Sequence, residues 1–219
     1  MEIETRLIKQ ATEVRQASLV RAAMRLAAQR SPADITTADL AHAVGISQGA
    51  VFRHFPSKQA IWLAGLDWAT QTLLTRLQDA AARAGSEPSI DQSPLHALQA
   101  IFAAHVDFVT EHPGVPRVIF QELQHPQDTA LKARVRDLMQ QYRMLVMAQL
   151  QRAQTDHLLA PDTDLQAACV LFLGAVQGLV MQSMVAGQVH AMAEQASDVF
   201  AIYLRGIARS TPIHPESTI

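Results

Sequence analysis

Residues 35–58 read ITTADLAHAVGISQGAVFRHFPSK. Inside them GISQG, residues 45–49, fits G-x-S-x-G, the strained elbow that presents a nucleophilic serine in many hydrolases. That elbow has to leave a β-strand and enter a helix. Here the residues before Gly45 are LAHAV, which close a short helical segment. Thr36 or Thr37 can cap its N-terminus, Asp39 is favourable in its first turn, and Leu40, Ala41 and Val44 form its apolar face. Gly45 stops it as a residue that tolerates positive φ. Downstream there is no set of strands to carry an acid and a histidine. The stretch therefore reads as two short helices joined by a tight glycine turn, a helix-turn-helix. Ile46 is expected to be buried just after the turn. Ser47 is a cap, not a nucleophile, and QGAVFRHF opens the second helix, with Val51 and Phe55 four apart on one buried face. Pro56 ends it and Ser57 caps the next.

Working outward, RQASLVRAAMRLAAQR (residues 15–30) repeats Leu19, Ala22, Ala23, Leu26 and Ala27 at steps of three and four, with Arg15, Arg21, Arg25 and Arg30 mostly off that stripe. This is an amphipathic helix, stopped where Pro32 biases Ser31 away from helical geometry. After the motif a long helix runs over about residues 58–83. The stretch AGSEPSIDQSP (84–94) is rich in turn formers and reads as a linker. Helices follow over about 95–111, 115–123, 129–155, 163–185 and 191–209, separated by HPG, HPQD and APDTD. The tail 210–219 has no periodicity and is expected to be disordered. No stretch alternates with period two over a strand's length, so the fold class is all-α. A three-helix N-terminal domain, residues 1–60, carries the helix-turn-helix, and a larger helical domain covers 61–219.

With 219 residues, 49% hydrophobic and 17% charged, the chain can bury a substantial core and is not a disordered polymer. The N-terminus lacks an apolar signal core, so the expected location is the cytoplasm. A single cysteine, Cys169, permits no intrachain disulfide and reads as a small buried hydrophobe. The longest apolar run, residues 167–181, is interrupted by Gln177 and is short for a membrane span of about 20 residues. It reads as a buried or interface helix. Charge is uneven: residues 1–60 carry eight Lys/Arg against five Asp/Glu, a net of +3, whereas the remainder nets −5. A basic head on an acidic body points mildly to a polyanion at the head.

At this point residues 19–66 resemble the TetR family of bacterial transcriptional regulators. The pattern is a threonine pair, an LA helix, G-[IV]-S-x-G, an aromatic, and then HF-x-SK. The resemblance implies a homodimeric regulator, most simply a repressor released from a palindromic double-stranded DNA operator by a small-molecule effector. It places Thr36, Thr37, Gln48, Gly49, Ala50, Phe52, Arg53, His54 and Lys58 at DNA-facing positions. Chemistry agrees for several. The Gln48 amide suits adenine and the Arg53 fork suits guanine. Thr37, Ser47 and Lys58 suit phosphates, and Gly49 admits close backbone approach. The chain departs from the pattern at Phe52, where a tyrosine is usual, and at Ala50, where a hydroxyl is frequent. Ser31 and Pro32 likewise replace a frequent glycine. Phe52 fits either a core or a DNA-facing position.

No cofactor is implied. Glu122 and His125 form one E-x-x-H, whereas helical carboxylate-bridged metal sites need two with further glutamates. His105, Asp107, Glu111 and His112 form no ligand pattern, so no metal site is expected. Six methionines (139, 144, 147, 181, 184 and 192) together with Phe102, Phe120, Tyr142 and Phe172 suggest adaptable apolar packing in the body. Candidate effector contacts there are Phe102, Arg117, Gln121, Tyr142, Phe172, Gln177 and Met181, a few polar groups among apolar ones. The last two helices, with Ala167, Ala168, Gly174, Ala175 and Gly178 allowing close approach, are the expected dimer seam. Two rivals remain: a DNA-binding adaptor or co-repressor-dependent regulator, and a helical metal-dependent enzyme.

Overall fold

The computed structural model describes residues 2–84 and 93–209, with side chains from Thr12 onward except that of His190. The linker stretch 85–92 and the tail 210–219 lie outside the described residues. Within them the chain is helical: α1 (Glu2–Ala27), α2 (Thr37–Val44), α3 (Gln48–His54), α4 (Lys58–Ala84), α5 (Pro94–Glu111), α6 (Gly114–Leu123), α7 (Ala130–Thr155), α8 (Leu165–Ala186) and α9 (Met192–Ile207). Short 3₁₀ turns sit at Pro32–Asp34 and Val189–Ala191. The only β-type pairing among the described residues is an isolated bridge between Leu159 and Ala208. The expected boundaries hold to within two residues from α4 onward. However, α1 begins at Glu2, well before the amphipathic stripe at residues 15–30, and α8 begins at Leu165, where the Asp164 carboxylate accepts from Gln166 N and Ala167 N.

The chain forms two compact units. The first comprises Met1–Leu74 with Phe108–Gln140. Its centre is the expected stripe of α1, where Leu19, Ala22, Ala23 and Ala27 are fully or almost fully buried, joined by Ile35, Leu40, Val51 and Ile61. Helix α1 packs on α2, α3 and α6. The approach of α6 is close enough to require glycine. A Cβ on Gly114 would lie far inside contact distance of the Met24 carbonyl oxygen and 3.0 Å from Ala28 N.

The second unit comprises Thr75–Asp107 and Gln141–Ile219. Phe102, Tyr142, Phe172, Phe200 and Tyr203 meet there at ring-centroid distances of 5.4–6.4 Å, mostly edge to face. Helix α8 packs on α9 and buries Cys169, Phe172, Val176 and Val180. The apolar run 167–181 lies within a longer helix. The helix has 22 residues with a mean hydropathy of 1.8 over its best window, long and apolar enough by length and composition to cross a membrane. The helix extends past both ends of the apolar run, through Gln166 on one side and Gln182 and Ser183 on the other. It is not buried all round, since Val170, Leu171, Met181 and Val185 are exposed.

Candidate nucleic-acid interface

Helix α2 starts in a capping box. Thr36 Oγ1 accepts from Asp39 N at 3.1 Å, while Asp39 Oδ2 accepts from Thr36 N at 2.8 Å and from the Thr36 hydroxyl at 2.7 Å. Two helix-end donors are satisfied reciprocally. Arg30 adds an ion pair to Asp39 at 2.8 Å. The Thr36 backbone and hydroxyl bonds, followed by Arg30, hold the Asp39 carboxyl well below the usual carboxylate range. Thr36 is thus the cap, and Thr37 is the first helical residue.

The helix stops at Gly45, which has φ 71° and ψ 38°; its N–H faces the carbonyls of Ala41 and His42. A side chain would be strained there. Ser47 then caps α3, its Oγ accepting from Ala50 N at 3.2 Å. Ile46, expected to be buried, is half-buried. Val51 and Phe55 are 1% and 8% exposed, so α3 is pinned by the predicted pair. One further bond sets the two helices against each other: Gln48 Nε2 donates to Thr37 Oγ1 at 2.8 Å. From α1, Gln16 Nε2 donates to the His54 carbonyl at 2.9 Å and holds the far end of α3.

This leaves Ser47, Gln48, Gly49, Phe52 and Arg53 exposed, with Ala50 and His54 half-buried. Phe52 is 50% exposed, which favours the surface over the core. Gly49 faces open space; nothing lies within 4 Å of where a Cβ would be. Gln48 keeps one amide N–H and its carbonyl oxygen for a partner. The arrangement offers an amide, a guanidinium, an aromatic edge and bare backbone along one short helix. Two placements differ from simple expectation. Lys58 Nζ donates to Ala33 O at 3.1 Å and Ile35 O at 2.9 Å, so its ammonium is engaged with backbone. His54 Nδ1 is buried without a hydrogen-bond partner.

The candidate effector contacts fall in both units. Phe102, Tyr142 and Phe172 are at most 1% exposed in the aromatic cluster of the second unit. Beside them His105 Nδ1 lies 3.1 Å from the Tyr142 hydroxyl. Burial pushes the His105 imidazole down to about 4 and the Tyr142 phenol up. Sequence reasoning left His105 unassigned because its partner is 37 residues away. Gln177 and Met181 are exposed on α8. Arg117 and Gln121 belong to α6, in the first unit. The Nε of Arg117 is buried without a partner, and Gln121 Oε1 accepts from Ala33 N at 3.1 Å. In the E-x-x-H, Glu122 is buried and accepts from the Thr129 hydroxyl, with His125 at 4.0 Å. Among the described residues no three His, Cys, Asp or Glu side chains are grouped to hold a metal ion.

Two short helices at a positive-φ glycine turn, braced by a third, define a helix-turn-helix protein. Residues 19–64 match the sequence model for bacterial regulatory proteins, tetR family. A nucleoid occlusion factor SlmA from Actinobacillus pleuropneumoniae is 33% identical over 101 residues, 46% of each chain. SlmA from Haemophilus influenzae is 30% identical over 134 residues, 61% of this chain and 57% of its own. The chain thus spans about half the length of the curated relatives it matches. The fold is similar to that of the transcriptional regulator FadR from Bacillus subtilis, solved in complex with stearoyl-CoA (TM-score 0.73, 14% identity, 87% of this chain and 98% of that one). It is also similar to the ketosteroid regulator KstR2 of Mycobacterium tuberculosis (TM-score 0.68, 21% identity, 90% and 96%).

Proposed function

We propose that this protein is a homodimeric, DNA-binding transcriptional regulator, a repressor released from a palindromic operator by a small apolar effector. The DNA-binding module is residues 1–60, and residues 61–219 serve effector binding and dimerisation. The observation that carries the reading is α3: a capped helix, fixed on its inner side by Val51 and Phe55, that exposes Gln48, Gly49, Phe52 and Arg53. Arg53 donates to guanine and the free half of the Gln48 amide reads adenine. Thr37 and Ser47 face phosphates, and the Phe52 ring and Ala50 methyl supply apolar contact. A dimer pairs two such helices with half-sites about one helical turn, or a multiple of it, apart. The exposed apolar face of α8 and α9, with Val170, Leu171, Met181 and Ile202 beside the open positions Gly174 and Gly178, supports a two-fold seam. The effector works by population shift: it binds better to the arrangement whose recognition helices do not match successive grooves, and weakens operator binding by that difference alone. The fold likeness to FadR, solved in complex with stearoyl-CoA, and to the ketosteroid regulator KstR2 supports an apolar effector. The protein is a binding protein and not an enzyme, acting on DNA in the cytoplasm. A second reading, a nucleoid occlusion factor, is favoured by the SlmA relatives. Selecting duplexes from a random pool, then mapping genomic sites with and without candidate apolar metabolites, tests both. A short palindrome released by a metabolite supports the first reading, and sites insensitive to every metabolite support the second. Recovery of no preferred sequence overturns the proposal. Arg53→Ala should cost about 1–3 kcal/mol and relax specificity at one base pair.

A further inference from the structure

The Pro32–Asp34 turn comes directly before α2 and is held from two sides by side chains distant in sequence. Lys58, the first residue of α4, donates to the carbonyls of Ala33 and Ile35. Gln121, on α6, accepts from the Ala33 N–H at 3.1 Å, a donor also faced by the Ser31 hydroxyl at 3.3 Å. Both sides of Ala33 are therefore bonded to helices outside the helix-turn-helix. The next residues are the anchors of α2: Ile35 is fully buried and Thr36 opens the capping box. From α2 the constraint passes to α3 through the Gly45 turn and the Gln48–Thr37 bond.

We infer that Lys58 and Gln121 are positioning residues for DNA binding: they fix the turn that sets α2 and α3, and Lys58 acts through the carbonyls it holds. The inference rests on the DNA-binding reading above. Two of the three ammonium N–H groups of Lys58 neutralise carbonyls at the end of a 3₁₀ turn, groups that have no partner in the turn itself. With two N–H groups so held, at most one remains for any other acceptor, and moving the ammonium off the turn would leave those carbonyls unpaired. Gln121 gives α6 a hold on the N–H side of the same residue, Ala33. Because α6 is seated on the backbone of α1 at Gly114, a displacement of α6 changes the bond at Ala33 N and hence the presentation of α3.

The test uses the full chain and a fluorescein-labelled duplex that the wild-type protein has selected from a random pool. Affinity is measured over a series of salt concentrations for Lys58→Met, Gln121→Leu, Gln121→Glu and the double variant Lys58→Met/Gln121→Leu. Lys58→Met and Gln121→Leu should each weaken binding about tenfold, with log Kd against log salt parallel to wild type. The double variant should lose less than the product of the two, because both act on one turn. Gln121→Glu keeps an acceptor for the Ala33 N–H and should bind like wild type, even where Gln121→Leu proves too unstable to measure. A lost phosphate contact would instead flatten the salt slope of Lys58→Met by about 0.9, which overturns the role given to Lys58. Wild-type affinity for Gln121→Leu, or a failure of Gln121→Glu, overturns that given to Gln121. If the wild-type protein selects no duplex, the DNA-binding reading falls and this inference with it; a selected duplex with a flattened slope defeats the inference alone.

Discussion

Replacing Gly114 with alanine adds one methyl group at the tightest point between α6 and α1. The new Cβ would fall far inside contact distance of the Met24 carbonyl oxygen, with Met24 C and Ala28 N both at 3.0 Å. All three are backbone atoms of a helix or its end, so no side-chain rotation relieves the clash. Helix α6 must move away by about 1 Å, and contacts at van der Waals distance lose a quarter to a half of their attraction over a gap of that size. Val115, Pro116 and Val118 are buried on the face that would be lifted. Overpacking of this kind costs about 1–3 kcal/mol, and the rigidity of the obstacle puts Gly114→Ala at about 3 kcal/mol. With an m-value of about 3 kcal/mol/M in urea, the midpoint falls by about 1 M at fixed protein concentration, with m itself unchanged. Gly65→Ala is the matched control. Its Cβ would also collide with Met24, but with the terminal Cε of the side chain, which can swing aside. It should cost less than about 1 kcal/mol. Equal midpoints for Gly114→Ala and wild type would show that α6 is not seated on the α1 backbone as described.

Ser47→Ala should lose about 1 kcal/mol of stability and Ser47→Thr much less. Covalent labelling of Ser47 by a serine-directed phosphonate would contradict its role as a cap. His105 is held neutral by burial, with its folded pKa lowered to about 4 from an unfolded value near 6.5. Its contribution is fully present above about pH 6.5 and is lost as pH falls, reaching a cost of about 3 kcal/mol below pH 4. Thermal melts between pH 7.5 and 4.5 should show a shallower acid slope for His105→Gln; identical slopes would remove His105 from the titration. Gly174→Arg places a charge where the chain itself offers open space. Helical circular dichroism should survive while sedimentation shows monomers and operator affinity collapses; a persistent dimer would place the seam elsewhere.

The readable part of this protein is the part held by neighbours in sequence. The caps at Thr36 and Ser47, the glycine stop at Gly45 and the Val51–Phe55 pair all act over three or four residues, and each sits where the residue types required it. The burial of Leu19, Ala22, Ala23 and Ala27 followed from the 3.6-residue period. A lysine at a helix start suits a phosphate, and spacing alone could not show that the Lys58 ammonium also reaches carbonyls 23 and 25 residues away. Gln121 likewise looked like an effector contact, and it reaches Ala33 across 88 residues. HPG read as a helix separator, while Gly114 is the first residue of α6 and the point of closest packing on α1. The candidate effector contacts were gathered by residue type alone, and residue type carries no information on which helices share a unit.

The seating of α6 on α1 also bears on how such a protein can be recombined. The compact unit that contains the helix-turn-helix is not one stretch of chain; it needs Phe108–Gln140 as well as Met1–Leu74. A chimera that exchanges only the N-terminal residues would bring a foreign α1 against this α6, and any donor with a side chain in place of Gly114, or a differently placed backbone at Met24, would meet a steric mismatch. Grafting a new operator specificity onto this body is therefore a transplant of two segments, or else a change confined to the exposed side chains of α3, which leaves the seat untouched.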